Sequence, residues 1–492
     1  YIISKIYSRN LIYSILVSQS HPAVDKMLED LIRESDERPD LLRIGRDEKL
    51  NEEIREEYSI NDVKEKWYQN VRRICNDYTK NALEEIGIPE EEFDKYFLKL
   101  ENSKVENMDF SVEDKLFVEN FIKKTKGVKS ERTRKILEIQ REWTEQLKKC
   151  DEVELYIIKS TVIIAGTCTG FVSNRIIRDV EFDYVIVDEA AKATFPELAV
   201  SLNKAHKIIL VGDHQQLPPV LDTEIIRNNK EKLDEEGLAQ GIFERMYNMF
   251  PEDNKHRLTI QYRMHPTIGT LISHVFYNDE IQNGVEAQDR ELCIEGYEEI
   301  AIEWISTSKY STKERYEKEF DNNGKKSYQN YLERNIIERK LLELDSKLVK
   351  RTKVAVITGY GSQKYILQTM VKQHSFKHIE VDVDTVDAFQ GSQKDIILYS
   401  TVRSSGNKYG IGFLKSEARI NVAFSRARCL LIIVGDMKFL DNYKIRGNKF
   451  PEIIKYITES EGCRIIEEKR NETISSSSIE KTSPGVKKFS FN

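Results

Sequence analysis

The chain has 492 residues, too many for one ordinary hydrophobic core, so two or three domains are expected. Hydrophobic residues make up 39% and charged residues 32%, and the formal net charge is −7, which argues against a histone-like polycation but leaves room for a local basic groove. Six widely spaced cysteines, without a CxxC or a Cys/His cluster, argue against a disulfide framework or zinc site, and no run approaches the roughly 20 apolar residues of a membrane span.

The segment Tyr1 to Val17 is apolar but broken by Lys5, Arg9 and Asn10. It reads as a helix leading into a buried strand at Ser14–Ser18, not as a signal sequence. Further short apolar runs follow at Val162–Ala165, Tyr184–Val187, Lys207–Val211, Val354–Thr358, Ile396–Thr401 and Leu430–Val434. Continuous runs of this length, separated by helical patterns, predict buried parallel strands of an α/β fold. They fall into two groups, which predicts tandem α/β domains over residues 1–250 and 251–470.

Residues 45–150 interrupt the first group with a stretch dense in Glu, Lys and Arg and with sparse apolar residues at helical spacing. That predicts a charged helical insertion, solvated or docking a protein partner. A shorter irregular insert is expected over 282–326, and a disordered tail over 471–492, where Ser475–Ser478 and Lys487–Lys488 stand.

Chemistry concentrates at the ends of the expected strands. Tyr184–Val187 delivers two adjacent carboxylates, Asp188 and Glu189, where ligands of parallel sheets bind. In phosphate-hydrolysing enzymes the first of such a pair holds Mg²⁺ and the second polarises the attacking water. Taken alone, the pair could equally end a strand or cap a helix. The next strand leads into Gly212–Asp213–His214–Gln215–Gln216–Leu217–Pro218–Pro219, where a neutral amide such as Gln216 can hydrogen-bond a γ-phosphate or the attacking water. Two arginine segments follow, Gln261–Tyr262–Arg263–Met264–His265–Pro266 and Arg419 to Ala427 with Arg426. Arginine forks onto phosphate oxygens, although isolated arginines are mostly solvated. Val383 to Gly391, containing Thr385, predicts a loop before strand Ile396–Thr401 that binds backbone phosphates or is plain surface.

In this order the segments resemble motifs II, III, the following arginine motif, V and VI of superfamily 1 helicases of the Upf/senataxin branch. Ser18–Gln19–Ser20–His21–Pro22–Ala23–Val24–Asp25 is similar to motif Ia, Thr167–Cys168–Thr169–Gly170 to the short motif after the insertion, and Val356 to Gln363 to motif IV. The resemblance covers roughly residues 1–45 and 150–440. It implies two RecA-like P-loop domains that use ATP and Mg²⁺, and 5′-to-3′ movement on single-stranded RNA or DNA. It further implies Asp188 on the metal, Glu189 activating water, Gln216 sensing the γ-phosphate, and Arg263 and Arg426 stabilising the transferred phosphoryl group. Gly212, Asp213, Gln261, Gly391 and Gln393 would contact the nucleotide, and Ser20, His21, Thr167 and Thr385 the strand. An intracellular monomer is expected, cytoplasmic or, in a eukaryote, nuclear, without a membrane.

The sequence departs from the family at three places. No GxxxxGK[ST] occurs, and since that loop would stand just before Tyr1, the expectation is a piece of a longer protein. Gln393 replaces the usual glutamate, which weakens ribose or nucleotide contacts, and Gly359 replaces a proline, which loosens its loop. Two functions of different class stay open: an ATP-driven helicase, or a nucleic-acid-binding scaffold that does not hydrolyse ATP.

Overall fold

A computed structural model describes residues 13–35, 38–104, 111–147, 150–177, 180–219, 241–322, 325–389, 391–405 and 410–468. The segment expected to be helical before Ser14, Gln390, and the tail expected to be disordered lie outside the described residues. The chain divides into two units, Tyr1–His214 with Pro218–Phe250, and Gln215–Leu217 with Pro251–Asn492.

The first unit is built on five parallel strands, β1 (Ser14–Ser18), β2 (Leu41–Arg43), β3 (Ile163–Thr167), β4 (Phe182–Val187) and β5 (Ala205–Leu210), in the order β2-β3-β1-β4-β5. Alternation explains the apolar runs of β1, β3 and β4, whereas β5 lies at the sheet edge with His206, Lys207 and Ile208 exposed, so the strand expected at Lys207–Val211 is present but not buried. Ile15, Val17, Ile164, Val185 and Val187 feed one core cluster, while Leu16, Ile163, Ala165 and Ile186 feed another. Central β1 has β3 on one side and β4 on the other, so the chain reverses its direction of travel beside β1.

Between β2 and β3 the chain forms an arm of helices, chiefly Glu52–Tyr58, Ile60–Ile86, Glu90–Lys104, Val112–Lys124 and Val128–Leu147. Gly87 closes the longest of them at φ 67°, where the amides of Gly87 and Ile88 turn back onto Glu84 and Leu83. The arm has its own small core of Leu83, Ile88, Phe93, Tyr96, Phe121 and Leu137, with Tyr96 and Phe121 stacked at 4.2 Å.

The second unit is built on a sheet of six strands, β8 (Ile302–Ser306), β11 (Thr352–Thr358), β12 (Ile379–Thr385), β13 (Lys394–Ser400), β14 (Ala427–Gly435) and β15 (Cys463–Glu467), all parallel, in the order β12-β11-β13-β14-β8-β15. Short strands β6 (Ile260–Gln261) and β7 (Gln282–Asn283) pair with each other, and β9 (Lys318–Asn322) forms a hairpin with β10 (Lys325–Gln329).

Two expectations are corrected here. The segment 282–326 is not simply an irregular insert, because it contributes the interior strand β8. Its Glu303 is fully buried and accepts from Tyr297 at 2.5 Å and Arg464 at 3.2 Å, so a charge that argues against a buried strand is satisfied inside. Val383 to Thr385 is not loop but the end of β12, an edge strand whose alternating Ile-Glu-Val-Asp-Val-Asp-Thr pattern leaves its charges outward. Among the described residues no helix is long and apolar enough to cross a membrane.

Candidate functional site

In the first unit the C-terminal ends of β1, β3, β4 and β5 converge on one rim, where parallel sheets bind ligands. Asp188 directly follows β4, and its amide donates to the Val17 carbonyl of β1 at 2.8 Å. The Val211 amide donates to the Val187 carbonyl at 2.8 Å and the Ala190 amide to the Val211 carbonyl at 2.9 Å, stitching the Asp188–Glu189 turn to the Gly212 turn. Glu189 sits in the left-handed region at φ 54°, ψ 35°. For a residue with a Cβ that conformation is strained, and strain of this kind gathers at functional sites. Gly212 is required by contact rather than torsion: a Cβ there would lie 2.9 Å from the Ala191 amide nitrogen.

Burial, and then the neighbouring Glu189 carboxylate, push the Asp188 carboxyl above its ordinary range. Two adjacent carboxylates on a half-buried rim are a hard-oxygen donor set whose mutual repulsion a divalent cation relieves, so they fit Mg²⁺. Among the described residues no group of three or more His, Cys, Asp or Glu side chains forms a metal cage. Mg²⁺ ordinarily takes one or two protein carboxylates, with water and substrate oxygens completing its shell.

Ser20 and Thr167 follow β1 and end β3. Ser20 Oγ caps the helix His21–Glu34 by accepting from the Ala23 amide at 3.4 Å, and Thr167 Oγ1 accepts from the Gly170 amide at 3.1 Å. Both hydroxyls therefore also shape their own loops. His21 lies against a group that the sequence did not single out. Arg43, at the end of β2, is fully buried; its Nε donates to Asp25 Oδ1 at 2.7 Å and its Nη2 lies 3.2 Å from His21 Nδ1. Asp25 Oδ2 also accepts from the Asn51 amide at 3.0 Å, so both carboxylate oxygens are engaged. Burial, with the charges of Arg43 and Lys49, lowers the His21 pKa and favours a neutral ring.

The second unit carries the arginines. Arg426 is buried at the end of the helix Glu417–Phe424, with Nε donating to the Val422 carbonyl at 3.1 Å and Nη2 to Gln216 Oε1 at 3.1 Å. Residues 215–217 group with this unit: Asn421 Nδ2 donates to the Gln215 carbonyl at 3.0 Å, and Leu217 joins the core around Trp304. Arg263 Nη1 donates to the Ser425 carbonyl at 3.4 Å, so Arg263 reaches the residue before Arg426.

Gln261 works locally. Its Oε1 accepts from the Arg263 and Met264 amides at 2.9 and 2.7 Å, and its Nε2 donates to the Met264 carbonyl and Asn283 Oδ1 at 3.0 and 2.8 Å. The turn is held from outside by Arg290, which donates to the Arg263 and Tyr262 carbonyls at 2.8 and 2.6 Å. Nothing in the sequence spacing pointed to Arg290. Thr385 ends edge strand β12, Gly391 stands at φ 82° with open space around it, and Gln393 is exposed before β13. Asp213 is half-buried in the turn after Gly212.

Comparison with known proteins adds the family context. The chain matches the AAA domain family twice, over residues 13–224 and over residues 238–438. It is 34% identical over 301 residues to a regulator of nonsense transcripts 1 homolog of Neurospora crassa, an alignment covering 60% of this chain and 26% of that protein. To the Drosophila melanogaster homolog it is 35% identical over 301 residues, covering 60% and 24%. To an uncharacterized ATP-dependent helicase of Methanocaldococcus jannaschii it is 29% identical over 364 residues, covering 70% and 47%. The chain thus spans about a quarter of the length of the first two relatives and under half of the third.

Proposed function

The chain belongs to the Upf-like superfamily 1 helicases, and from that membership we propose that it forms part of an ATP-dependent helicase that moves 5′ to 3′ on single-stranded nucleic acid. The observation that carries the proposal is the pair Asp188–Glu189 at the end of β4, beside central β1, with Glu189 held at positive φ. In this reading Asp188 holds Mg²⁺, which neutralises phosphate charge when bound. Glu189 takes the proton of the attacking water, for which its half-buried, strained placement suits it. Gln216 reports the γ-phosphate, and its bond to Arg426 supports a role in linking phosphate sensing to the arginine. Arg263 and Arg426 offset the charge of the transferred phosphoryl group. Gly212, Asp213, Gly391 and Gln393 line the nucleotide, with Gln261 acting through the Arg263 turn that it shapes. Ser20, His21, Thr167 and Thr385 meet the strand.

The test uses the full-length product of the gene. ATP hydrolysis is measured with and without single-stranded RNA or DNA, for the natural protein and for Glu189→Gln. Stimulation by the strand and a loss of roughly 10²-fold or more in the variant are expected. Turnover that ignores the strand, or survives the substitution, overturns the proposal. Strand binding with no hydrolysis leaves a nucleic-acid-binding scaffold as the reading.

A further inference from the structure

The helical arm exposes an apolar surface that its own folding does not use. The helices Ile60–Ile86 and Val128–Leu147 pack antiparallel, as their cross-links show: Tyr68 OH donates to Glu145 at 3.5 Å, and Gln140 Nε2 donates to the Cys75 carbonyl at 3.1 Å. Their buried sides carry Tyr68, Thr79 and Leu83 on one helix and Arg134, Leu137 and Thr144 on the other.

Ile74 and Tyr78 lie four residues apart on the first helix, and Ile136, Ile139 and Trp143 follow i, i+3, i+7 spacing on the second. At 100° per residue each stripe stands about 80° from the direction of the neighbouring helix. In an antiparallel pair the two stripes then fall on the same side. The ion pair between Lys129 and Glu85 at 3.3 Å, on the continuation of both stripes, marks one end of this shared surface. Half-buried Trp67, one turn before Val71 on the same stripe, leads at the other end to the core of the first unit. The five large side chains are between 41% and 66% exposed; Leu98, Val112, Leu116 and Ile122 are exposed too, but on the other helices of the arm.

We propose that this surface seats one amphipathic helix of a partner protein, which would pack as a third helix in the groove between the two. Three observations select that occupant. The stripes repeat at helical spacing along a shallow groove, the geometry that accepts apolar anchors at i, i+3 or i+4, and i+7. With about half of each side chain exposed, the surface offers on the order of 500 Å², which is less than the roughly 800 Å² per partner of a standard interface between two folded proteins and enough for a single helix. Its borders are charged but balanced, with Arg73 and Lys135 against Asp77 and Glu142, and so lack the cationic excess that nucleic acid or an anionic lipid surface attracts. The inference is independent of the motor reading.

The experiment places a photo-crosslinking amino acid at position 139 of the full-length product in its own cells, with the same group at exposed Val112 as the control site. The expected result is a crosslink, specific to position 139, to a segment of another protein with apolar residues at i, i+3 or i+4, and i+7. A synthetic peptide of that segment should then bind the purified protein and shift Trp143 fluorescence to the blue. Trp143→Glu should weaken the peptide by roughly tenfold or more without loss of helix content. Ile74→Glu, on the facing helix, repeats the measurement should the first variant fail to fold. Crosslinks at position 139 only to a second copy, to lipid, to nucleic acid or to nothing would overturn the proposal, as would a peptide affinity unchanged in both variants.

Discussion

Arg43 and Asp25 form an ion pair sealed inside the first unit, with Arg43 Nε 2.7 Å from Asp25 Oδ1 and both side chains almost wholly removed from water. Removing one partner leaves the other charge buried and uncompensated, which costs about 3–5 kcal/mol. Arg43→Met is therefore expected to destabilise the first unit by that amount. Its measurement is hydrogen exchange at the amides of β1 and β3, which should lose protection while those of β13 and β14 keep theirs. Because Arg43 also lies against His21, strand affinity should fall in the same variant. Unchanged protection at β1 would remove the pair from the account of stability.

The second unit contains a carboxyl with an unusual titration. Glu333 is fully buried; its oxygens accept from Ser400 Oγ at 2.6 Å, Thr401 Oγ1 at 3.1 Å and the Val402 amide at 2.9 Å, yet burial outweighs these bonds and pushes its pKa up to about 8. The native state thus holds a proton that the unfolded chain has released above the ordinary glutamate range. Stability from this site is present at low pH, falls as pH rises from about 4.5 to about 8, and is level beyond. Glu333→Gln, neutral at every pH, should flatten that slope. Denaturant midpoints of both proteins at pH 5 and pH 8 check it, and equal pH dependence would count against the raised pKa.

Gly212→Ala tests the turn beside Asp188. The added methyl would meet the Ala191 amide nitrogen at 2.9 Å and that of Ala190 at 3.3 Å, and backbone cannot step aside as a side-chain end can. A loss of about 1–3 kcal/mol is expected, as for overpacking generally. ATP hydrolysis should fall with it, because the Ala190 amide ties the Asp188–Glu189 turn to the Val211 carbonyl. A variant with natural stability and turnover would show that the turn has slack.

Arg426→Lys keeps the charge but removes the fork that bonds Val422 and Gln216 together. Hydrolysis by the full-length protein is expected to drop by roughly 10³-fold, the scale of a lost arginine finger. Strand binding without nucleotide should stay within about threefold, since Arg426 has no part in it. A parallel loss of both would point to unfolding around Arg426 instead, which the melting temperature distinguishes.

Strands covered on both faces were legible because they are apolar throughout: β1, β3, β4, β11, β13 and β14 all appear as unbroken runs. Those that escaped have physical reasons. β2 is three residues long, β12 and β15 lie at sheet edges and carry charges, and β8 hides Glu303 among apolar neighbours. Asp188, Glu189 and Gly212 could be picked out because each stands within two residues of a strand's end. Arg43, Arg290 and Glu333 could not. Their partners sit on other elements, as Glu333 does with Ser400, and no local spacing announces a pairing that only the folded chain creates.

The arm also sets a timetable. β1 is the central strand of its sheet, but both neighbours, β3 and β4, lie beyond the arm, with Ser14 beside Ile163 and Tyr184. A ribosome adding about 5–20 residues per second needs on the order of ten to thirty seconds to supply Ile163 after Ser14. Throughout that interval Ile15, Leu16 and Val17 have neither of their sheet neighbours, while the arm, whose helices are all made before Ile163, is free to fold. A completed arm brings β2 and β3 together without the search that a slack loop of the same length would require. The first unit is thus a nascent chain that depends on its insertion to finish, and deleting the arm should be felt in soluble yield before it is felt in catalysis.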